Sequence, residues 1–231
     1  MDKNLIVIGG WGIKPEILCV IFGKNAHYLD SNTIMTKLID KNESLKPDWK
    51  DIAQKEWNVL LNKPFMVAGW STGAIIASAI ANQINPDYLV LFSPTLSFCR
   101  KENYRFGMRS SVLQSMIKML QTDKQTVMNN FLKSCGIDGI FENKYSQMEL
   151  IAGLQFLEQA DLRLQKEFNT NAIAIHGTHD SVIPLSAGKL FSEQLKCPFF
   201  EINDSHAFFC SQTNAENIKK IIRKTFNIDI F

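Results

Sequence analysis

Six short apolar runs recur along the chain: NLIVIG (4–9), AHYLD (26–30), PFMVAG (64–69), DYLVLFS (87–93), AIAIHG (172–177) and PFFEIN (198–203). They are continuous rather than alternating, the pattern of parallel strands covered on both faces. Helical patterns lie between them. PDWKDIAQKEWNVLLNK (47–63) sets Trp49, Ile52, Ala53, Trp57 and Leu60 on one face, with Asp48 placed to cap it. TGAIIASAIANQ (72–83) is rich in small residues, as a helix lying close on a sheet should be. SAGKLFSEQLK (186–196) and NAENIKKIIRKTF (214–226) are amphipathic. Strands alternating with helices predict an α/β fold with a mostly parallel sheet. The alternation breaks over 98–166, where three helical segments follow one another with no strand between them. The expected organisation is therefore a core of 1–97 and 167–231, with 98–166 as a helical lid inserted between strands, the alternative being a helical subdomain with only a packing role. Its methionines (Met108, Met116, Met119, Met128 and Met148) read as core rather than ligand surface.

Composition narrows the function classes. With 231 residues, 45% apolar and 21% charged, the chain can bury a sizeable core. A net charge of +2 is too small for a nucleic-acid binding stripe. The five cysteines (Cys19, Cys99, Cys135, Cys197 and Cys210) are scattered without CxxC spacing, which suits a reducing compartment and no zinc cluster. The first apolar run is too short for a signal peptide, and Lys14, Pro15 and Glu16 interrupt the stretch 5–22, so neither export nor a membrane span is expected. The expected location is the cytoplasm.

Candidate chemistry centres on GWSTG (69–73), which follows one apolar run and opens the small-residue helix. GxSxG alone is a weak signal, but strand, turn and helix together are the context of a nucleophile elbow. The alternative is a serine that merely caps a helix. A sharp turn would lift the Ser71 hydroxyl clear of the backbone, with Gly69 and Gly73 omitting side chains that would collide with their neighbours. A serine needs a base. Of four histidines, His206 in NDSHAFF follows the last strand and can reach the carboxyl edge of the sheet. His27 lies in a strand run, His176 ends one as a packing or hydrogen-bonding residue, and His179 adjoins Asp180. Asp180 in HGTHDSVIP is the candidate acid, with Asp204 as a rival and Asp161 in the insertion. The order Ser71, Asp180, His206 is that of an α/β-hydrolase. The oxyanion donors would be the backbone N–H groups of Thr72 and of Trp11 in GGWG (9–12). GGWG is not GxGxxG, and no P-loop is present, so no cofactor and no metal are expected.

These stretches resemble the pimeloyl-[acyl-carrier protein] methyl ester esterases of biotin synthesis. LIVIGGWGIKPEIL is similar to their strand–HGWG opening, AGWSTGAIIASAIA to their GWSxGG elbow, and LVLFSPTLSFCR to the strand that follows. DKQTVMNNFLKSC and GLQFLEQADLRLQ resemble the lid and DLR helices, and HGTHDSVIP and SHAFF the acid and histidine loops. Gly9 and Ala74 depart from that pattern, the lid is shorter, and Thr126, Asn129 and Asn130 stand where basic residues are usual, with Lys124 and Lys133 nearby. The resemblance implies an α/β-hydrolase fold and hydrolysis of a pimeloyl methyl ester borne on an acyl-carrier protein, with Ser71 acylated. Trp11, Trp70 and Phe131 would flank the acyl chain. Arg100, Arg105, Arg109 and Lys118 are candidates to face an acidic carrier, or an ordinary solvated basic face. The other readings are an esterase or thioesterase for small acyl substrates, and a non-catalytic binding protein of the same fold.

Overall fold

The computed structural model describes residues 4–40, 65–139 and 144–228. The helix expected over 47–63 lies outside the described residues. All six predicted strands form: β1 (Asn4–Ile8), β2 (His27–Leu29), β3 (Phe65–Trp70), β4 (Tyr88–Phe92), β5 (Asn171–Gly177) and β6 (Phe199–Ile202). They pair in the order β2-β1-β3-β4-β5-β6, and every pairing is parallel. Continuous apolar runs encode this arrangement because a central parallel strand has no solvent face. In β3 every residue from Phe65 to Trp70 is buried.

The helices are α1 (Cys19–Phe22), α2 (Ser31–Asp40), α3 (Thr72–Ile84), α4 (Ser110–Thr122), α5 (Lys124–Cys135), α6 (Gln147–Gln159), α7 (Leu185–Leu195) and α8 (Gln212–Phe226). Helices α4, α5 and α6 follow one another between β4 and β5, as the broken alternation predicts. Their ends are locally encoded. The Asp123 carboxylate accepts from Thr126 N at the start of α5, and Ser146 and Glu149 form a reciprocal capping box on α6. No helix among the described residues is long and apolar enough to cross a membrane.

The chain runs from β1 outward to β2, then returns to the other side of β1 to lay down β3. This reversal opens a crevice above the carboxyl ends of β1 and β3, where ligands of open α/β sheets bind. The GGWG loop leaves β1 there and Ser71 leaves β3 there. Helix α3 lies so close to the sheet that a Cβ on Gly73 would overlap the Ile8 and Gly9 carbonyl oxygens, and one on Gly69 would overlap the Gly73 carbonyl.

That close approach separates two kinds of glycine. Gly73→Ala, with no room, is expected to cost about 3 kcal/mol. Gly23→Ala has open space but a φ of 71° with ψ 178°, a region all but reserved to glycine, so it is expected to cost about 2 kcal/mol. Urea midpoints of the two variants measure the difference, and equal losses would refute the steric account.

Candidate active site

The β3–α3 turn is strained at one residue. Ser71 has φ 57° and ψ −116°, outside the regions L-residues ordinarily occupy. Backbone hydrogen bonds hold it there. Ser71 N donates to the Phe92 carbonyl of β4 at 2.9 Å, and its carbonyl accepts from Ala74 N and Ile75 N. The hydroxyl makes no capping bond to α3. The capping alternative therefore fails: Ser71 occupies the N-cap position but turns its side chain into a cavity. A strained backbone with an uncommitted hydroxyl is a feature of functional turns.

Asp180 and His206 meet. His206 Nδ1 lies 2.6 Å from Asp180 Oδ2, and both side chains are wholly buried. The carboxylate collects further donors: Ser93 Oγ to Oδ2 at 2.8 Å, and the backbone N–H groups of Val182 and Ile183 to Oδ1 at 2.9 and 2.8 Å. Burial on its own would raise the pKa of this carboxyl. The charge of His206 and hydrogen bonds from His176 and His206 outweigh it, and hold the group well below the usual carboxylate range. The rival acids are engaged elsewhere. Asp204 accepts from Ser205 and Asn214, and Asp161 pairs with Arg163 at 2.8 Å.

On its far side His206 Nε2 is buried without a hydrogen-bond partner. No hydrogen bond joins it to Ser71, whose hydroxyl is likewise unpaired among the described residues. Such bonds are often loose before substrate binds. Trp70, the residue before Ser71, links the two elements: its indole N–H donates to the His206 carbonyl at 3.2 Å, and the two rings lie 5.2 Å apart.

The cavity in front of Ser71 measures about 210 Å³. The sheet supplies Trp11, Ser71 and Thr72. Met108, Met116 and Met119 in and before α4, Val127, Asn130, Phe131 and Ser134 of α5, and Leu154 and Leu157 of α6 enclose it; Phe98, Ser181 and Val182 complete it. Among the described residues no charged side chain lines it. Trp11 is fixed by its indole N–H, which donates to Leu150 O at 2.9 Å, and Phe131 packs edge-on against it at 4.8 Å. The GGWG loop is held by α2: Ser31 Oγ donates to Gly10 O, and Gly12 N donates to Asn32 Oδ1. The backbone N–H groups of Trp11 and Thr72 make no hydrogen bond among the described residues.

Two expectations need correction. Trp70 does not line the cavity. It is wholly buried, edge-on to Phe209 and against His206, because the side chain before the elbow points into the core. The methionines do not form one core face. Met108, Met116 and Met119 line the cavity, Met148 is 78% exposed, and only Met128 is fully buried, against Gly12. Sequence reasoning also missed Ser93, which takes φ 46° to deliver its hydroxyl to Asp180. A polar residue ending a buried strand run was the available signal.

Comparison with known proteins adds to this geometry. Over 149 residues, 57% of the chain, it is 26% identical to the pimeloyl-[acyl-carrier protein] methyl ester esterase of Nitrosomonas europaea. It is 27% identical to the protein of the same name from Nitrosospira multiformis over 148 residues. These matches cover 59% and 56% of the relatives, so the chain spans less than two thirds of their length. No protein-family model matches. An esterase from Exiguobacterium antarcticum superposes with a TM-score of 0.75, covering 99% of this chain and 94% of its own, at 15% identity. The chain has the α/β-hydrolase fold. Its resemblance to the pimeloyl esterases, read first from GWG, GWS and DLR, is met by the two relatives.

In this fold the buried carboxylate fixes a pH dependence. Asp180 is held below its unfolded value of about 3.9. Its stabilising contribution is therefore complete above that pH and is lost as the pH falls toward the folded value. Relative to Asp180→Asn, which cannot titrate, the wild type should lose about 1.4 kcal/mol per pH unit below pH 4. Urea unfolding at pH 6, 4 and 3 measures the gap. A constant gap would mean that the carboxylate is not held ionised by the fold.

Proposed function

We propose that the chain is a serine carboxylesterase in which Ser71 is the nucleophile, His206 the general base and then acid, and Asp180 the orienting acid. One observation carries the reading. A 2.6 Å Asp180–His206 pair leaves His206 Nε2 without a partner beside a strained elbow whose hydroxyl is also uncommitted. In the first half-reaction, His206 Nε2 takes the Ser71 proton as Oγ attacks the ester carbonyl. The N–H groups of Thr72 and Trp11 accept the developing oxyanion as hydrogen-bond donors. His206 returns the proton to the leaving alcohol. Water, activated by the same nitrogen, then releases the acid and restores Ser71.

The substrate we propose is the methyl ester of a pimeloyl group on an acyl-carrier protein, in biotin synthesis in the cytoplasm. The names of the two relatives support it, and so does a cavity whose lining among the described residues is mostly apolar and bears no charge, suited to a neutral ester and an alkyl chain. Residues 98–166 act as a lid over the core of 1–97 and 167–231, with Trp11 and Phe131 flanking the acyl chain. Arg100, Arg105, Arg109 and Lys118 are exposed on the insertion. They give an acidic carrier a basic face, beside the exposed apolar Phe106 and Val112. No cofactor and no metal enter this scheme.

Ser71→Ala should abolish turnover with an unchanged melting temperature, and Asp180→Asn should lower kcat by about 10⁴. Retained activity in Ser71→Ala would end the triad reading. The substrate is tested separately, by comparing the carrier-borne pimeloyl methyl ester with a short p-nitrophenyl ester. Arg105→Glu with Lys118→Glu should raise KM for the carrier substrate by roughly tenfold at low salt, while turnover of the short ester barely changes. Cleavage of the short ester alone would leave a small-acyl esterase or thioesterase.

A further inference from the structure

His176 ends β5 and is wholly buried, yet nothing in the proposed reaction uses it. Its Nε2 faces two acceptors at once, the Ile183 carbonyl at 2.9 Å and Asp180 Oδ2 at 3.3 Å. An imidazole nitrogen facing only acceptors must carry the hydrogen. The opposite nitrogen, Nδ1, is buried with no partner, and a Cβ on Gly188 of α7 would overlap it. No acceptor is available there for a second N–H, so the surroundings select one tautomer and one ring orientation. The other groups around the carboxylate are settled. Cys135 of α5 is kept protonated by burial, and Glu201, opposite His176 on β6, is paired with Lys189 at 2.8 Å.

We propose that His176 is a positioning residue. Its Nε2–H, shared between the Ile183 carbonyl and Asp180 Oδ2, fixes the carboxylate between two imidazoles and tempers how strongly it holds the proton-bearing His206. The inference rests on the triad reading above. Its physical content has a sign. A donor on Oδ2 draws off part of the negative charge that stabilises the imidazolium form of His206. Removing that donor strengthens the Asp180–His206 attraction and makes His206 more basic.

The test compares His176→Gln with His176→Asn on a short p-nitrophenyl ester. The glutamine amide nitrogen reaches where Nε2 stood, whereas the asparagine nitrogen reaches only where Nδ1 stood. The acid limb of the kcat/KM profile should move to higher pH by about half a unit or more in His176→Asn, and should return toward the wild-type position in His176→Gln. A merely structural histidine would lower the melting temperature of both variants without moving the limb, and an unmoved limb in His176→Asn overturns the proposal. Should that variant fail to fold, the wild type decides: nitrogen NMR should show the Nε2–H tautomer of His176, and an Nδ1–H tautomer would overturn the inference. Full activity in Ser71→Ala would instead sink the triad reading, while the nitrogen spectrum still tests His176 on its own.

Discussion

A buried carboxylate that must stay ionised organises the carboxyl edge of this sheet. Desolvating an unpaired charge is prohibitive, so such a group persists only where donors saturate it. Asp180 draws donors from separate parts of the chain: Ser93 after β4, the Val182 and Ile183 amides in its own loop, His206 after β6, and His176 at the end of β5. Each hydrogen bond to a charged group contributes about 1.5–3 kcal/mol. Together they offset the burial and fasten three loops to one point. These loops are thus ordered by an electrostatic requirement rather than by secondary structure of their own.

The elbow answers a second constraint with the opposite economy. Ser71 is held in an unfavourable backbone conformation, and the compensation is local: a strand-to-strand bond to Phe92, two helical bonds to its carbonyl, and glycines at 69 and 73 that let α3 settle against β1 and β3. Side-chain capping, the usual way a serine stabilises a helix start, is forgone. The hydroxyl is left free where the cavity begins. Trp70 then couples the strained turn to His206, since its indole N–H donates to the His206 carbonyl. The same tryptophan cannot also serve as a cavity wall.

What could be read from the sequence was whatever one segment encodes alone. The six apolar runs, the GWSTG turn, the Ser146–Glu149 capping box, and the loops bearing Asp180 and His206 each carry their signal within a few residues. What could not be read depends on which segments the fold juxtaposes. Ser93 and His176 are single polar residues at strand ends, and nothing in their own neighbourhoods says that both point at one carboxylate. The methionines divide by helix orientation. Met116 and Met119 face the cavity while Met128 buries against Gly12, and a periodicity count cannot distinguish these faces without knowing what lies opposite. Asp204 is engaged locally: it accepts from Ser205 N and from the Asn214 side chain.

The helical insertion is more than a cover. The last carbonyls of any helix lack intrahelical partners and must find donors elsewhere. In α5 two of them find donors in the loops that carry Asp180 and His206. Ser134 O accepts from Ser181 Oγ at 2.8 Å, and Cys135 O accepts from Ala207 N at 2.9 Å. Gly136, with φ 76°, then ends the helix so closely against Ser205 that a side chain would overlap it. The residues next to Asp180 and on both sides of His206 are therefore secured by the end of α5. Among the described residues helix α4 has no such hydrogen-bonded tie to these loops, and its Val112 and Met119 are exposed. The carboxyl end of α5 is in this sense a brace for the loops that carry Asp180 and His206, while α4 lends the cavity Met116 and Met119.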